Sequence, residues 1–129
     1  LSSYTSTWYH ISINPMTKIL LQYASFLGAT GIAAGAFGAH ALKDTLERKN
    51  SLGYWQTAVL YQLVHATAML GLASTTTTAA AAASTTTTTA AAAKTVSRAI
   101  MVGNLWTAGV VMFSGSLYGL ALDIGPKAV

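Results

Sequence analysis

The sequence predicts an all-α integral membrane protein, a small bundle of about three transmembrane helices, and three observations carry that prediction. Only 8% of its 129 residues are charged, against roughly a quarter in a soluble domain. Its mean hydropathy is +0.49. Residues 19–42, 54–73 and 99–122 are apolar stretches, and at ~1.5 Å per residue about twenty residues cross a ~30 Å hydrocarbon core. The length supports one domain. Abundant Ala, Thr, Gly and Ser hold the mass to 13.3 kDa, so the helices have few bulky side chains with which to pack on each other.

Residues 1–18 form a polar N-terminal extension, rich in Ser and Thr and without an acid, that lacks the apolar centre of a signal peptide. It reads either as the remnant of a cleaved organellar transit peptide or as the interior of a longer sequence. Trp8 and Tyr9 suit a membrane interface, where an apolar ring with a polar edge meets the headgroups, and His10 falls outside the membrane segments.

The first apolar segment, 19–42, is interrupted only by Gln22, a few hydroxyls and His40. Gly28, Gly31, Gly35 and Gly38 follow helical spacing on one face. Gly31 and Gly35 make the small-xxx-small pattern that lets backbones approach in lipid. Each glycine costs a helix about 0.5–1 kcal/mol relative to Ala, so four on one face imply a helix packed against them. A polar connector follows, holding Asp44, Glu47, Arg48 and Lys49, with Asn50 or Ser51 placed to cap the next helix.

The second segment, 54–73, carries Trp55, Ala58, Gln62, His65, Met69 and Leu72 at alternating three- and four-residue steps, which places them on one face. Tyr54 and Trp55 suit an interfacial belt, core packing being the alternative for Trp55. Residues 74–93 are a Thr/Ala-rich link of low complexity. Alanine favours helix and β-branched Thr lowers the preference, so the link reads as a linker or as a continuation of the second helix into the third. The third segment, 99–122, repeats the close-approach spacing at Gly115 and Gly119, and a short tail, 123–129, contains the helix-stopping Gly125 and Pro126.

The charges exclude several classes of function. The net charge of +4 comes from seven Lys and Arg residues scattered between apolar stretches, not from the basic stripe with aromatic platforms that nucleic acid requires. Three of them fall on one side of a three-helix bundle and four on the other, which gives no orientation signal. Cysteine is absent, so disulfides, thiolate catalysis and cysteine metal sites are excluded.

Three stretches carry a family signature: GAFGAHAL at 35–42, WQTAVLYQLVHA at 55–66 and FSGSLYGLAL at 113–122. Their order and spacing resemble the small membrane proteins of unknown function whose animal members are called transmembrane protein 256. The resemblance covers all three apolar segments. It implies a helical membrane fold found in bacterial inner membranes and in eukaryotes, and it supplies no catalytic residues. Two departures stand out. Family members have a short polar loop where this sequence carries 74–93, and they continue into a PLGG stretch and a fourth hydrophobic helix. By that resemblance the fourth helix is lost, lies outside this sequence, or has its packing role filled by a partner.

Few constellations offer chemistry. The three acids, Asp44, Glu47 and Asp123, lie at or beyond helix ends, so no carboxylate pair sits at membrane depth for proton transfer. Ser114 and Ser116 lack the spacing of a nucleophile elbow. Tyr61, Gln62, His65, Ser114 and Ser116 are expected to form a polar intramembrane network. His65, with His40 as the second candidate, is also a candidate axial ligand for haem or chlorophyll, since neutral imidazole ligates both metals. No cofactor is required by the sequence, no other metal site is expected, and bound lipids are.

The expected function is therefore non-catalytic: an accessory or structural subunit of a larger membrane-protein complex, in a mitochondrial inner membrane or thylakoid. A small oligomeric transporter or channel component, and a pigment- or haem-binding subunit, are the alternatives. Larger integral membrane proteins and the bilayer are the expected partners, with no nucleic acid and no small-molecule substrate identified.

Overall fold

The computed structural model describes residues 15–85 and 89–124. Trp8, Tyr9, His10, the first part of the N-terminal extension and the Gly125-Pro126 stop lie outside the described residues. The described residues form four helices: α1 (Pro15–Ala39), α2 (Lys43–Arg48), α3 (Leu52–Thr85) and α4 (Thr89–Leu122). Proline suits the first helical position because its missing N–H would be unsatisfied there in any case, and α1 accordingly begins four residues before the apolar segment.

Among the described residues three helices are long and apolar enough to cross a membrane, over Pro15–Ala39, Leu52–Ala79 and Ala93–Leu122. Their outward faces carry Phe26, Ile32, Leu60, Met101, Leu105 and Met112, each more than half exposed. So much uncovered apolar surface is unfavourable in water and is what a lipid-facing surface requires.

The polar connector contains α2, which the sequence reading treated only as a connector. Leu46 is its one fully buried side chain and closes the end of the bundle against Trp55 and Ala121. The helix ends in a Schellman turn: the Asn50 N–H donates to Glu47 O at 3.0 Å and the Ser51 N–H to Leu46 O at 2.9 Å, with Asn50 at φ 51°. Asn50 thus ends α2 instead of capping α3. The Ser51 hydroxyl donates to Ala121 O at 2.8 Å and fastens the end of α4.

Both long helices take in parts of the Thr/Ala tract, α3 running to Thr85 and α4 opening at Thr89. Threonine hydroxyls there turn back onto their own helix. Thr75 donates to Leu72 O at 2.8 Å, Thr76 to Ala73 O at 2.7 Å and Thr78 to Ser74 O at 3.1 Å, which hides the hydroxyls from an apolar exterior.

α3 lies between α1 and α4 and is antiparallel to both. Along α1, Gly38 faces Trp55, Gly35 faces Val59, Gly31 faces Leu63 and Gly28 faces Ala66, and the hydroxyls of Thr17 and Thr76 meet at 3.0 Å near the far end. A β-carbon added to Gly31 would stand 2.9 Å from Leu63 Cδ2, and one on Gly38 would overlap the Trp55 indole. Along α4, Ser114 reaches Ala58, Thr107 reaches Met69, and Gly103 receives the Leu20 side chain of α1. Leu20, Ala73 and Ala99 form one buried cluster at that crossing, and Ala24, Leu27, Ala66, Met69 and Val110 another at mid-height.

Two expected packing residues sit elsewhere. A β-carbon on Gly115 would meet nothing within 4 Å, and one on Gly119 only the Ile124 carbonyl oxygen of its own chain end at 3.6 Å. Their four-residue spacing does put them on a common side, but α4 turns that side away from α3. The contact glycine of α4 is Gly103, and the spacing of Ala99, Gly103, Val110, Ser114 and Ala121, all buried, is the sequence signal that marks its face.

Trp55 is a core residue. It is 8% exposed, donates its indole N–H to Ala34 O at 2.9 Å and lies 4.7 Å from the Tyr118 ring. Tyr54 beside it is half exposed.

Candidate functional site

The polar side chains of the bundle divide into an interior node and an outer seam. The node is built on Gln62, 8% exposed in the first half of α3. Its amide nitrogen donates to Leu27 O at 3.0 Å and to Thr30 Oγ1 at 2.7 Å, and its amide oxygen accepts the Tyr118 hydroxyl at 3.0 Å. One side chain therefore joins all three membrane-crossing helices. Thr30 passes its own hydrogen to Phe26 O at 2.7 Å, and Ser114 donates to Ala58 O at 3.0 Å. Among the described residues no buried side-chain nitrogen or oxygen lacks a partner, as a low-dielectric interior demands.

A groove of about 310 Å³ opens above this node between α1 and α4, walled by Phe26, Ala34, Val110, Val111 and Gly115. Its polar floor is occupied by internal bonds. What the groove offers a neighbour is shape and an apolar lining.

The seam lies along the other flank of α4. Tyr61, 46% exposed, packs its ring 4.9 Å from Phe113 and 6.3 Å from the imidazole of His65, nearly parallel at 22°. His65 is half-buried and meets Trp106 edge to face at 6.2 Å. Tyr61, His65 and Phe113 border a cleft of about 220 Å³ with Gly109 and Val110.

The structure thus brings together some of the expected network and separates the rest. Gln62 and Ser114 face inward. Tyr61 and His65 face the seam, and Ser116 is exposed, with its hydroxyl turned to Phe113 O of its own helix at 2.8 Å. Thr30 and Tyr118 complete the node and were not singled out from the sequence; Tyr118 lies one helical turn beyond Ser114, which is the periodicity that would have found it. His40 sits exposed in the turn after α1. Since Gly38 faces Trp55, His40 is separated from His65 by roughly 15–20 Å along α3, so the two imidazoles do not share a site.

Asp44 and Glu47 on α2 and Asp123 beyond α4 are all exposed at one end of the bundle. No carboxylate lies within the node or the seam. Among the described residues no three His, Asp or Glu side chains converge on a common point.

Residues 34–128 match the protein family described as "Protein of unknown function (DUF423)". The chain belongs to the DUF423 family. It is similar to the UPF0382 inner membrane protein YgdD of Escherichia coli K12, 33% identical over 112 residues, covering 83% of this chain and 70% of that protein. A UPF0382 membrane protein of Staphylococcus saprophyticus is 30% identical over 105 residues, covering 81% and 73%. Another from Haemophilus influenzae is 32% identical over 105 residues, covering 79% and 71%. No solved structure matches. Its relatives' descriptions as membrane proteins and the three apolar helices make the chain an integral membrane protein, and the matched region takes in α2, α3, α4, the seam, and Gln62 and Tyr118 of the node, while Leu27 and Thr30 precede it.

Proposed function

We propose that the chain is a non-catalytic accessory subunit of a larger membrane-protein assembly, docked through the groove between α1 and α4 onto a transmembrane helix of its host. The observation that supports this reading is the groove itself. It is open and apolar, with Gly115 on its wall and nothing within 4 Å of where that residue's β-carbon would stand. Gly115 with Gly119 offers the close-approach spacing that helix association in lipid uses. Every hydrogen-bonding group beneath it is already satisfied within the chain, so the groove selects by shape and supplies no reacting group.

The channel alternative asks Tyr61, Gln62 and His65 to line one polar path. Gln62 is spent on the interior node and the other two open to the far seam, so that alternative loses its support within one chain. The name of the Escherichia coli relative speaks of an inner membrane, which argues for such a membrane as the site. The narrower organellar siting rests on the Ser/Thr-rich start and remains part of the proposal, as does alliance with the transmembrane protein 256 group through the three signature stretches.

Native electrophoresis of a tagged chain, extracted in mild detergent, tests the reading. The expected result is migration in a complex much larger than 13.3 kDa, and release to a small species by Gly115→Leu with helicity unchanged. A wild-type chain that migrates alone after cross-linking in the membrane would overturn it.

A further inference from the structure

Nδ1 of His65 lies 2.7 Å from the carbonyl oxygen of Tyr61, one turn back in α3. A carbonyl only accepts, so Nδ1 carries the hydrogen and, in the neutral ring, Nε2 is left with a lone pair. No described residue donates to Nε2. Nor is that atom sealed inside the bundle, since every buried side-chain nitrogen has a partner; it opens onto the seam.

His65 is thirteen residues after Leu52 and fourteen before Ala79, the ends of the apolar span of α3. At ~1.5 Å per residue it stands about 20 Å from either end, beyond the reach of headgroups and bulk water. An acceptor left without a donor at that depth is costly. The surroundings show what kind of ligand would remove the cost. Tyr61, Val110 and Phe113 give the cleft an apolar border, Trp106 meets the imidazole edge to face from outside it, and Gly109 leaves open space where any other residue would put a side chain.

We propose that His65 Nε2 is the single axial ligand to the metal of a flat tetrapyrrole, a haem or a chlorin, seated on the outer α3/α4 seam. The bond from Nδ1 to a backbone carbonyl is the second support such a ligand needs, because it holds the tautomer and the ring orientation and raises the basicity of the other nitrogen. One imidazole at this depth matches a five-coordinate metal. The cleft of about 220 Å³ receives the part of the macrocycle nearest the metal, and the remainder lies against lipid. A hydrogen-bond donor from a neighbouring helix would satisfy the same lone pair, and it would give no saturable spectral shift in the titration that follows.

Zinc protoporphyrin, which takes one axial ligand, tests the assignment. Titrated into the full chain in phosphatidylcholine nanodiscs, it is expected to show a red-shifted Soret band saturating at one equivalent. The shift is lost in His65→Ala, returns when imidazole is added to His65→Gly, and is lost in Gly109→Leu, which keeps His65 and fills the gap. Nothing lies within 4 Å of where a Gly109 β-carbon would stand, and circular dichroism of Gly109→Leu and His65→Ala separates loss of the site from loss of the fold. A wild-type spectrum identical to that in empty nanodiscs overturns the proposal, as does a shift retained by folded His65→Ala or by Gly109→Leu.

Discussion

The Tyr118 hydroxyl of α4 donates to the side-chain oxygen of Gln62 in α3 at 3.0 Å, while the amide nitrogen of the same Gln62 holds α1 through Leu27 O and Thr30. Hydrogen bonds between membrane helices average about 0.6 kcal/mol and reach about 1.7 kcal/mol. Gln62 makes three at once, and losing it leaves the Tyr118 hydroxyl without its acceptor. Gln62→Leu is expected to destabilise the bundle by about 1–3 kcal/mol and Tyr118→Phe by about 0.5–1.5 kcal/mol. In a double-mutant cycle, read by unfolding in mixed detergent and lipid micelles, the two losses fall short of adding. Strict additivity would separate the two residues energetically.

The glycines of α1 grade by distance. A β-carbon meets Ala66 at 3.8 Å from Gly28, Val59 at 3.4 Å from Gly35, Leu63 at 2.9 Å from Gly31, and the Trp55 indole ring from Gly38. Gly28→Ala is therefore expected to be neutral or stabilising by up to about 1 kcal/mol through helix propensity. Gly31→Ala and Gly38→Ala force neighbours apart and cost about 1–3 kcal/mol. The same micelle unfolding assay reads the order, and equal effects at Gly28 and Gly38 would contradict the packing.

Much of this was legible before the structure. The four α1 glycines shared a face because only a packing neighbour explains them. In α3 the strict seven-residue ladder of Trp55, Ala58, Gln62, His65, Met69 and Leu72 matches burial at Trp55, Ala58, Gln62 and Met69, but burial also falls on Ala66, Ala73 and Thr76. A straight helix turns every 3.6 residues, and a 3.5-residue ladder drifts about 20° per heptad against it. That drift carries His65 from the side of Gln62 onto the seam. Composition could not show α2, since six residues with one apolar side chain form a helix here only because Leu46 finds the pocket at the bundle end. Nor could spacing alone say which of the α4 glycines faced inward, because small residues lie on both sides of it.

The two described tryptophans report opposite environments. Trp55 is 8% exposed with its N–H bonded to Ala34 O, whereas Trp106 is 38% exposed on the seam. In single-tryptophan variants reconstituted with brominated lipid, Trp106 is expected to be quenched strongly and Trp55 weakly. Reversed quenching would place Trp55 at the lipid surface. Trp55→Phe keeps most of the ring contact with Tyr118 and removes the bond to Ala34 O, at a cost of about 0.5–2 kcal/mol.

Asn50 is the hinge on which α2 turns into α3, at φ 51° and one residue past the C-cap Lys49. Left-handed backbone costs an ordinary L-residue about 1–2 kcal/mol, less for Asn and nothing steric for Gly. Asn50→Ala is expected to lose about 1 kcal/mol relative to the parent, and Asn50→Gly to match it within a few tenths. The Schellman bonds at Glu47 O and Leu46 O are made by backbone groups, so neither substitution removes a hydrogen bond, and backbone strain is the one difference between them. Leu46→Ala makes the contrast on the packing side. It empties the pocket between Trp55 and Ala121 and is expected to cost about 2–4 kcal/mol, more than any change at Asn50. Should Asn50→Ala prove as damaging as Leu46→Ala, the turn would be holding the bundle end through something other than its backbone angle.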